Sequence, residues 1–341
     1  MTPRPGSTFG VGSLPHRNVD EALEFAWSST DIPTIFTLPR HSPAEGMIAQ
    51  ALVGIEGVSM GQYGGISVDI SAHHASPEIR TDLTMAAYES FAAFLASFPS
   101  RGAETTHVKW QFVGPATLGI ALMRAGLDAR VACELALEAV RGHVVALEEE
   151  VRRACGDVTQ IIVLDEPSLP VALEHDFPLA PDEVVDLVSG ALAAVPRAHV
   201  SGLHCCGRTD WGAMLATGAN VISVPVPSLS DTDAMSDMLR AASRISDHLS
   251  NGGRIAWGAV RTDGPIAVSA DRSWKALVEV MCALVNAGVD PLDVRRMSHV
   301  TPACGVGTLS EKVAARVMAH VGDVSLRVAE QATASRLTLG S

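Results

Sequence analysis

Short β-branched and apolar runs alternate along the chain with longer Ala-rich segments whose apolar positions recur at helical spacing. That alternation predicts a parallel sheet whose strands are joined by helices. The first four predicted strands are STFGVGS (Ser7–Ser13), PTIFTL (Pro33–Leu38), HVKWQFV (His107–Val113) and TQIIVLD (Thr159–Asp165). The next four are HVSGLHC (His199–Cys205), NVISVPV (Asn220–Val226), RIAWGAV (Arg254–Val260) and DVRRMSHV (Asp293–Val300). Helix start signals fall between them: Asn18 before VDEALEFAW, Asp82 before LTMAAYESFAAFLASF and Ser310 before EKVAARVMAHV. Each offers a short polar side chain to the free N–H groups of a first helical turn. Eight strand-and-helix repeats predict an α/β fold, a (β/α)8 TIM barrel.

Two connections are longer than the others, about 54–80 and about 114–156, and both read as insertions at the barrel rim, where such segments cover or shape a site. No linker or shift in composition divides the chain, so residues 1–341 are expected to form one barrel domain. With 341 residues, 47% hydrophobic and 18% charged, the chain can bury a large core. Its formal charge of -13 and the lack of a clustered Lys/Arg patch exclude the usual electrostatics of nucleic-acid binding. Apolar windows are broken well short of the roughly 20 residues a membrane span needs. Six cysteines in a chain of this size, with no secretory pattern at its start, read as free thiols in a reducing cytoplasm.

Active sites of such barrels lie at the C-terminal ends of the strands, and reactive side chains collect there. The first strand ends in Ser13, the fourth in Asp165 and Glu166, the fifth in His204 and Cys206, and the eighth runs into TPACG with Cys304. Asp165 and Glu166 interrupt an apolar run, where two carboxylates need partners, either a substrate ammonium or a salt bridge and helix cap. His204 and Cys206 are two residues apart, so on a strand both side chains face inward while Cys205 faces the helices. Taken alone, that pair reads more readily as a sulfur-rich core strand than as a metal site. With Cys304 on the same rim it becomes a three-ligand set of imidazole and thiolates, which favours zinc and leaves one position open. Cys133, Cys155 and Cys282 fall on predicted helices and read as packing, and His16, His41, His73 and His74 are assigned no role.

The segments GSLP (Gly12–Pro15), GPATLG (Gly114–Gly119), LDEPSL (Leu164–Leu169), HCCG (His204–Gly207) and PACGVGTLSEKV (Pro302–Val313) occur in an order that resembles a known superfamily. It is that of the catalytic barrel of cobalamin-independent methionine synthase, with the related uroporphyrinogen decarboxylases and methylcobamide:thiol methyltransferases. The resemblance covers nearly the whole chain. It implies zinc held by His204, Cys206 and Cys304, an Asp165 that contacts the amino group of homocysteine, and a Ser13 that helps hold its carboxylate. Glu166 adjoins that substrate position. The histidine that the family places after the seventh strand as an acid falls near Asp263 here, which makes Asp263 the catalytic candidate. Where the methionine synthases add a glutamate ligand after the sixth strand, this chain has Pro225 and Val226.

A thiol bound to zinc is deprotonated at neutral pH and needs no separate base. The expected reaction is therefore methyl transfer to a small thiol, homocysteine first, to give methionine. A single barrel instead of the two of the full synthases favours methylcobalamin or a corrinoid protein over folate as donor. The alternatives are a methylcobamide methyltransferase acting on another thiol, a uroporphyrinogen decarboxylase-like enzyme, and a non-catalytic barrel that binds zinc or a thiol.

Overall fold

The structure, a computed structural model, describes residues 3–61, 64–69, 79–208, 210–228 and 230–339, apart from the side chains of 335–339. In chain order the strands are β1 (Val58–Met60), β2 (Ile66–Val68), β3 (His107–Val113), β4 (Thr159–Asp165), β5 (Val200–His204), β6 (Val221–Pro225), β7 (Arg254–Val260) and β8 (Ser298–Pro302). Strands β3 to β8 form one curled parallel sheet in sequence order. Helices join each strand to the next, as the alternating pattern predicts. The short strands β1 and β2, in the insertion at 54–80, pair antiparallel.

The two N-terminal segments expected as strands are extended, but their backbones pair with the sheet through single parallel bridges instead of a continuous ladder. Thr8 pairs with Val300 on β8, Ser13 with Thr37, and Thr34 with Lys109 on β3, so the segments lie between the two edges of the sheet. Their composition explains the sparse ladder. The Gly10 N–H donates to the Thr34 hydroxyl at 2.9 Å instead of a backbone carbonyl, Gly12 sits at φ 151°, and Pro33 has no N–H to give.

Two other expectations need correction. Residues Pro291–Arg296 are helical, because the Asp290 carboxylate accepts from the N–H groups of Leu292 and Asp293 and Pro291 suits a first turn; the strand begins only at Ser298. Asp82 closes a local turn onto Thr84, and the helix expected there starts at Glu89. Asn18 does cap the helix Val19–Ser28, and Ser310 immediately precedes the helix that begins at Glu311.

Strand alternation sorts the core into two layers. Phe9, Ile32, Ile161, Val163, Val221 and Ala256 pack together on the concave side. Their neighbours in sequence, such as Ile162, Leu164, Ile222, Ile255 and Trp257, face a larger outer core shared with the helices. The long connection at 114–156 is a helix pair, Pro115–Arg124 and Ala129–Cys155, the second capped by Asp128 and ended by Gly156 at φ 71°. His143 on that long helix is buried and ties down the chain before it, hydrogen-bonding Thr81 Oγ1 at 2.9 Å and the Ala51 carbonyl at 3.1 Å. Burial lowers its pKa to about 4, which leaves it neutral. No helix among the described residues is long and apolar enough to cross a membrane. His73 and His74 lie outside the described residues.

The C-terminal ends of β6 and β7 approach closely because Gly258 has no side chain. A Cβ there would meet Ala303 Cα at 2.7 Å and Pro225 Cα at 3.0 Å, both backbone atoms that cannot swing aside. Gly258→Ala should therefore cost about 1–3 kcal/mol of stability, as overpacking does, measured by urea denaturation. An unchanged midpoint would show that the strands have room to separate.

Candidate metal centre

The register of the parallel ladder carries three polar side chains to one level. Asp165 at the end of β4 is opposite His204 at the end of β5, and His204 is opposite Ser223 on β6. The Ser223 hydroxyl lies 3.0 Å from His204 Nδ1. This hydrogen bond engages Nδ1 and leaves Nε2 as the ring's remaining polar atom, the arrangement that orients metal-binding imidazoles. His204 is 3% exposed, yet its Nε2 has no hydrogen-bond partner among the described residues. A buried polar atom left in that state costs free energy unless something outside the chain meets it.

Two thiols converge on it. Cys206 follows β5 and Cys304 follows β8, and their sulfurs and a ring nitrogen of His204 all lie within 4.8 Å of one another. The proximity of the two sulfurs lowers the Cys206 pKa and raises that of Cys304, the latter against the pull of His204. Cys205 is buried among the outer core residues, facing the helices as alternation requires. One imidazole and two thiols with a soft-ligand preference suit zinc, and nothing in their spacing obstructs a shared ion. The thiols line a cleft of about 450 Å³ with Trp211, Pro225, Arg208 and Asp263, within the range of small-molecule sites.

The adjacent carboxylates have different surroundings. Glu166 is completely buried, and its oxygens accept from the Ala116 N–H at 2.8 Å, the Thr117 N–H at 2.7 Å and the Thr117 hydroxyl at 2.6 Å. It caps the helix Pro115–Arg124 and fills the space that the absent side chain of Gly114 leaves. Burial pushes its carboxyl up to about 7 while these donors pull it down. Three donors at the helix start thus take up much of its hydrogen-bonding capacity, the helix-cap arrangement weighed for it beside a substrate partner. Asp165 Oδ1, by contrast, is buried and without a hydrogen-bond partner among the described residues. Burial raises its pKa, countered by His204 and Lys109.

Ser13 sits beside the loop that carries Cys304. Its backbone carbonyl accepts from the Val306 N–H at 3.1 Å, and its hydroxyl occupies space that a Cβ on Gly305 or Gly307 would invade. Asp263 is in the cleft lining but exposed, and the Arg261 guanidinium grips it at 2.9 and 2.5 Å and holds its carboxyl below the usual range. That pairing makes it a fixed anion, which is a poor proton donor in place of the acid that the resemblance implies. Pro225 stands at the end of β6 and offers no ligand atom.

Sequence reasoning missed Ser223 and Lys109. Ser223 could have been found from alternation, since it shares a face with Val221 and Pro225. Lys109 is the only charged residue inside HVKWQFV and is 1% exposed. A charge in the middle of an otherwise buried strand is the signal that was available.

No protein-family model matches the chain, and no curated protein sequence does. Solved structures do share its fold. One is a B12-independent methionine synthase from Shewanella sp. W3-18-1 in complex with selenomethionine, with 14% identity, a TM-score of 0.62, and 97% of this chain and 100% of that one covered. Another is a putative vitamin-B12 independent methionine synthase from Listeria monocytogenes, with 14% identity, a TM-score of 0.59, and 91% and 85% covered. At that identity the likeness is one of fold.

Glu166→Ala would strip the acceptor from three donors at the start of the helix Pro115–Arg124. A stability loss of about 2–4 kcal/mol is expected from buried N–H and O–H groups left unpaired, read from urea denaturation. A loss below about 0.5 kcal/mol would mean that the helix end finds other acceptors.

Proposed function

We propose that this chain is a zinc-dependent S-methyltransferase that methylates homocysteine to methionine, with a corrinoid, methylcobalamin or its protein-bound form, as donor. The observation that carries the reading is the convergence of a ring nitrogen of His204, whose Nε2 has no hydrogen-bond partner among the described residues, with the sulfurs of Cys206 and Cys304 at the strand ends. The solved B12-independent methionine synthases of the same fold support methionine formation, one of them holding selenomethionine, while the corrinoid donor rests on the single barrel alone. We also read the segments at 7–13 and 33–38 as the first two of eight barrel strands, in one domain with rim insertions.

On this reading His204, Cys206 and Cys304 hold the ion, and Ser223 keeps the His204 ring in its ligating orientation. Bound zinc lowers the pKa of a thiol that coordinates it, so that the sulfur is a thiolate at neutral pH. With Pro225 in place of an acid, three protein ligands leave one position for the acceptor's sulfur. Asp165 Oδ1 receives the substrate's ammonium, and Ser13 faces its carboxylate. The cleft adjoins a groove of about 650 Å³ through the shared residues Arg208 and Trp211, which gives room for a donor larger than an amino acid. Reduced thiols at a metal site belong in the reducing cytoplasm, where we place the chain.

Purified under reducing conditions, the protein should carry about one equivalent of zinc and form methionine from homocysteine and methylcobalamin. Cys206→Ser and Cys304→Ser should each lower zinc affinity and turnover by about a hundred-fold or more. Failure of the unmutated protein to bind zinc would overturn the site. Zinc binding with no methyl transfer from methylcobalamin or methyltetrahydrofolate would favour a binding protein, and transfer from the folate alone would overturn the corrinoid donor.

A further inference from the structure

The groove of about 650 Å³ beside the thiol cleft is bounded by segments that follow β4, β5 and β6. Pro170, Leu173 and Trp211 give it an apolar wall, and its cations are the guanidiniums of Arg208, Arg240 and Arg244. Local sequence brings two of these together. Asp237, Arg240, Ala241 and Arg244 recur at i, i+3, i+4 and i+7 across the helices Thr232–Arg240 and Ala242–Ser250, so they line the groove from one face. Arg208 follows Cys206 by two residues and borders both the groove and the cleft, which makes the two spaces contiguous.

Carboxylates also border the groove, and their engagements decide what it can hold. Asp210 Oδ1 accepts from the Ala213 N–H at 2.9 Å and is committed to capping a helix. Asp237 is shared, in contact with Arg240 and 3.5 Å from Arg208, which also lies 3.6 Å from Asp233. Glu174, on the β4 side, pairs with none of the three arginines among the described residues. Arg244 meets no carboxylate within ion-pair distance among the described residues, and its guanidinium reaches only the Gly212 carbonyl, at 3.5 Å. Each guanidinium carries five N–H donors in a planar fork. Most of these donors therefore remain for a ligand, and forks from two elements around one space suit the several oxygens of a phosphate group.

We propose that the groove is a phosphate subsite for the methyl donor, in which Arg208, Arg240 and Arg244 grip the phosphodiester of a corrinoid's nucleotide tail. The proposal rests on the corrinoid reading of the donor and names the part of that donor the protein holds. The apolar wall at Trp211 and Leu173 accommodates the uncharged remainder of the tail, and the junction at Arg208 keeps the donor next to Cys206 and Cys304.

The test titrates the zinc-loaded full chain calorimetrically with methylcobalamin and with methylcobinamide, the corrinoid that lacks the nucleotide and its phosphodiester. The unmutated protein should bind methylcobalamin tighter by about ten-fold or more. Inorganic phosphate should narrow that gap by competing for the groove, and chloride at equal ionic strength should narrow it less. Arg240→Gln and Arg244→Gln should each reduce the gap by about five-fold, with zinc content and methylcobinamide affinity within about two-fold of the unmutated protein. Both side chains are exposed, so neither substitution disturbs the core. Equal binding of the two corrinoids by the unmutated protein overturns the subsite and leaves the zinc site and methyl transfer standing. So does a gap that phosphate and both variants leave unchanged, which would assign the preference to the base and ribose of the tail. If neither corrinoid binds and polyglutamylated methyltetrahydrofolate does, more weakly in the variants, the groove holds carboxylates, and the phosphate assignment falls together with the corrinoid donor.

Discussion

The parallel pairing of β4, β5 and β6 is the constraint on which the rest of the site depends. Because side chains alternate along a strand, sliding β5 by one residue against β4 would turn His204 outward and bring Leu203 or Cys205 into the interior. The register observed sets Asp165, His204 and Ser223 side by side. It is enforced from both faces, by the concave cluster around Ile161 and Val163 and by the outer cluster around Leu164, Leu203 and Ile222. Burial of those apolar residues outweighs the cost of two polar atoms, Asp165 Oδ1 and His204 Nε2, that have no hydrogen-bond partner among the described residues.

Small residues and a single buried acid hold the rim together around that level. Gly258 lets β6, β7 and the residue before Cys304 approach backbone to backbone, and Gly305 and Gly307 close on Ser13. Glu166 binds the first turn of the helix after β3 to the end of β4, so the two adjacent carboxylates of one motif have separate tasks. One is a fastener and the other is left with a free oxygen. Removing water from such a site strengthens every remaining charge interaction.

Much of this was legible in the chain itself. The apolar runs in TQIIVLD and RIAWGAV gave strand position directly, and the two-residue spacing of His204 and Cys206 gave a shared face. The N-terminal strands were harder to read correctly because the Gly10 N–H goes to a side chain and Pro33 has no N–H, so each removes an ordinary ladder bond. The error at 293–297 has a local cause: Asp290 and Pro291 start a helix, and the β-branched appearance of DVRRMSHV hid it. Lys109 drew no attention because a lone lysine in a strand usually lies at an edge in contact with water, and its burial follows from neighbours far away in sequence.

Local sequence determines what neighbouring residues can do together. It set the strand and helix alternation, the common face of His204 and Cys206, and the outward turn of Cys205, since each depends only on backbone periodicity. Tertiary structure decided which distant groups meet: Cys304 with that pair, Ser223 on the His204 ring, Arg261 on Asp263, and Lys109 in the interior on the Val11 carbonyl. It also decided which of Asp165 and Glu166 keeps hydrogen-bonding capacity. These outcomes rest on register and on competition among donors brought together by folding, and neither is written in the spacing of residues along the chain.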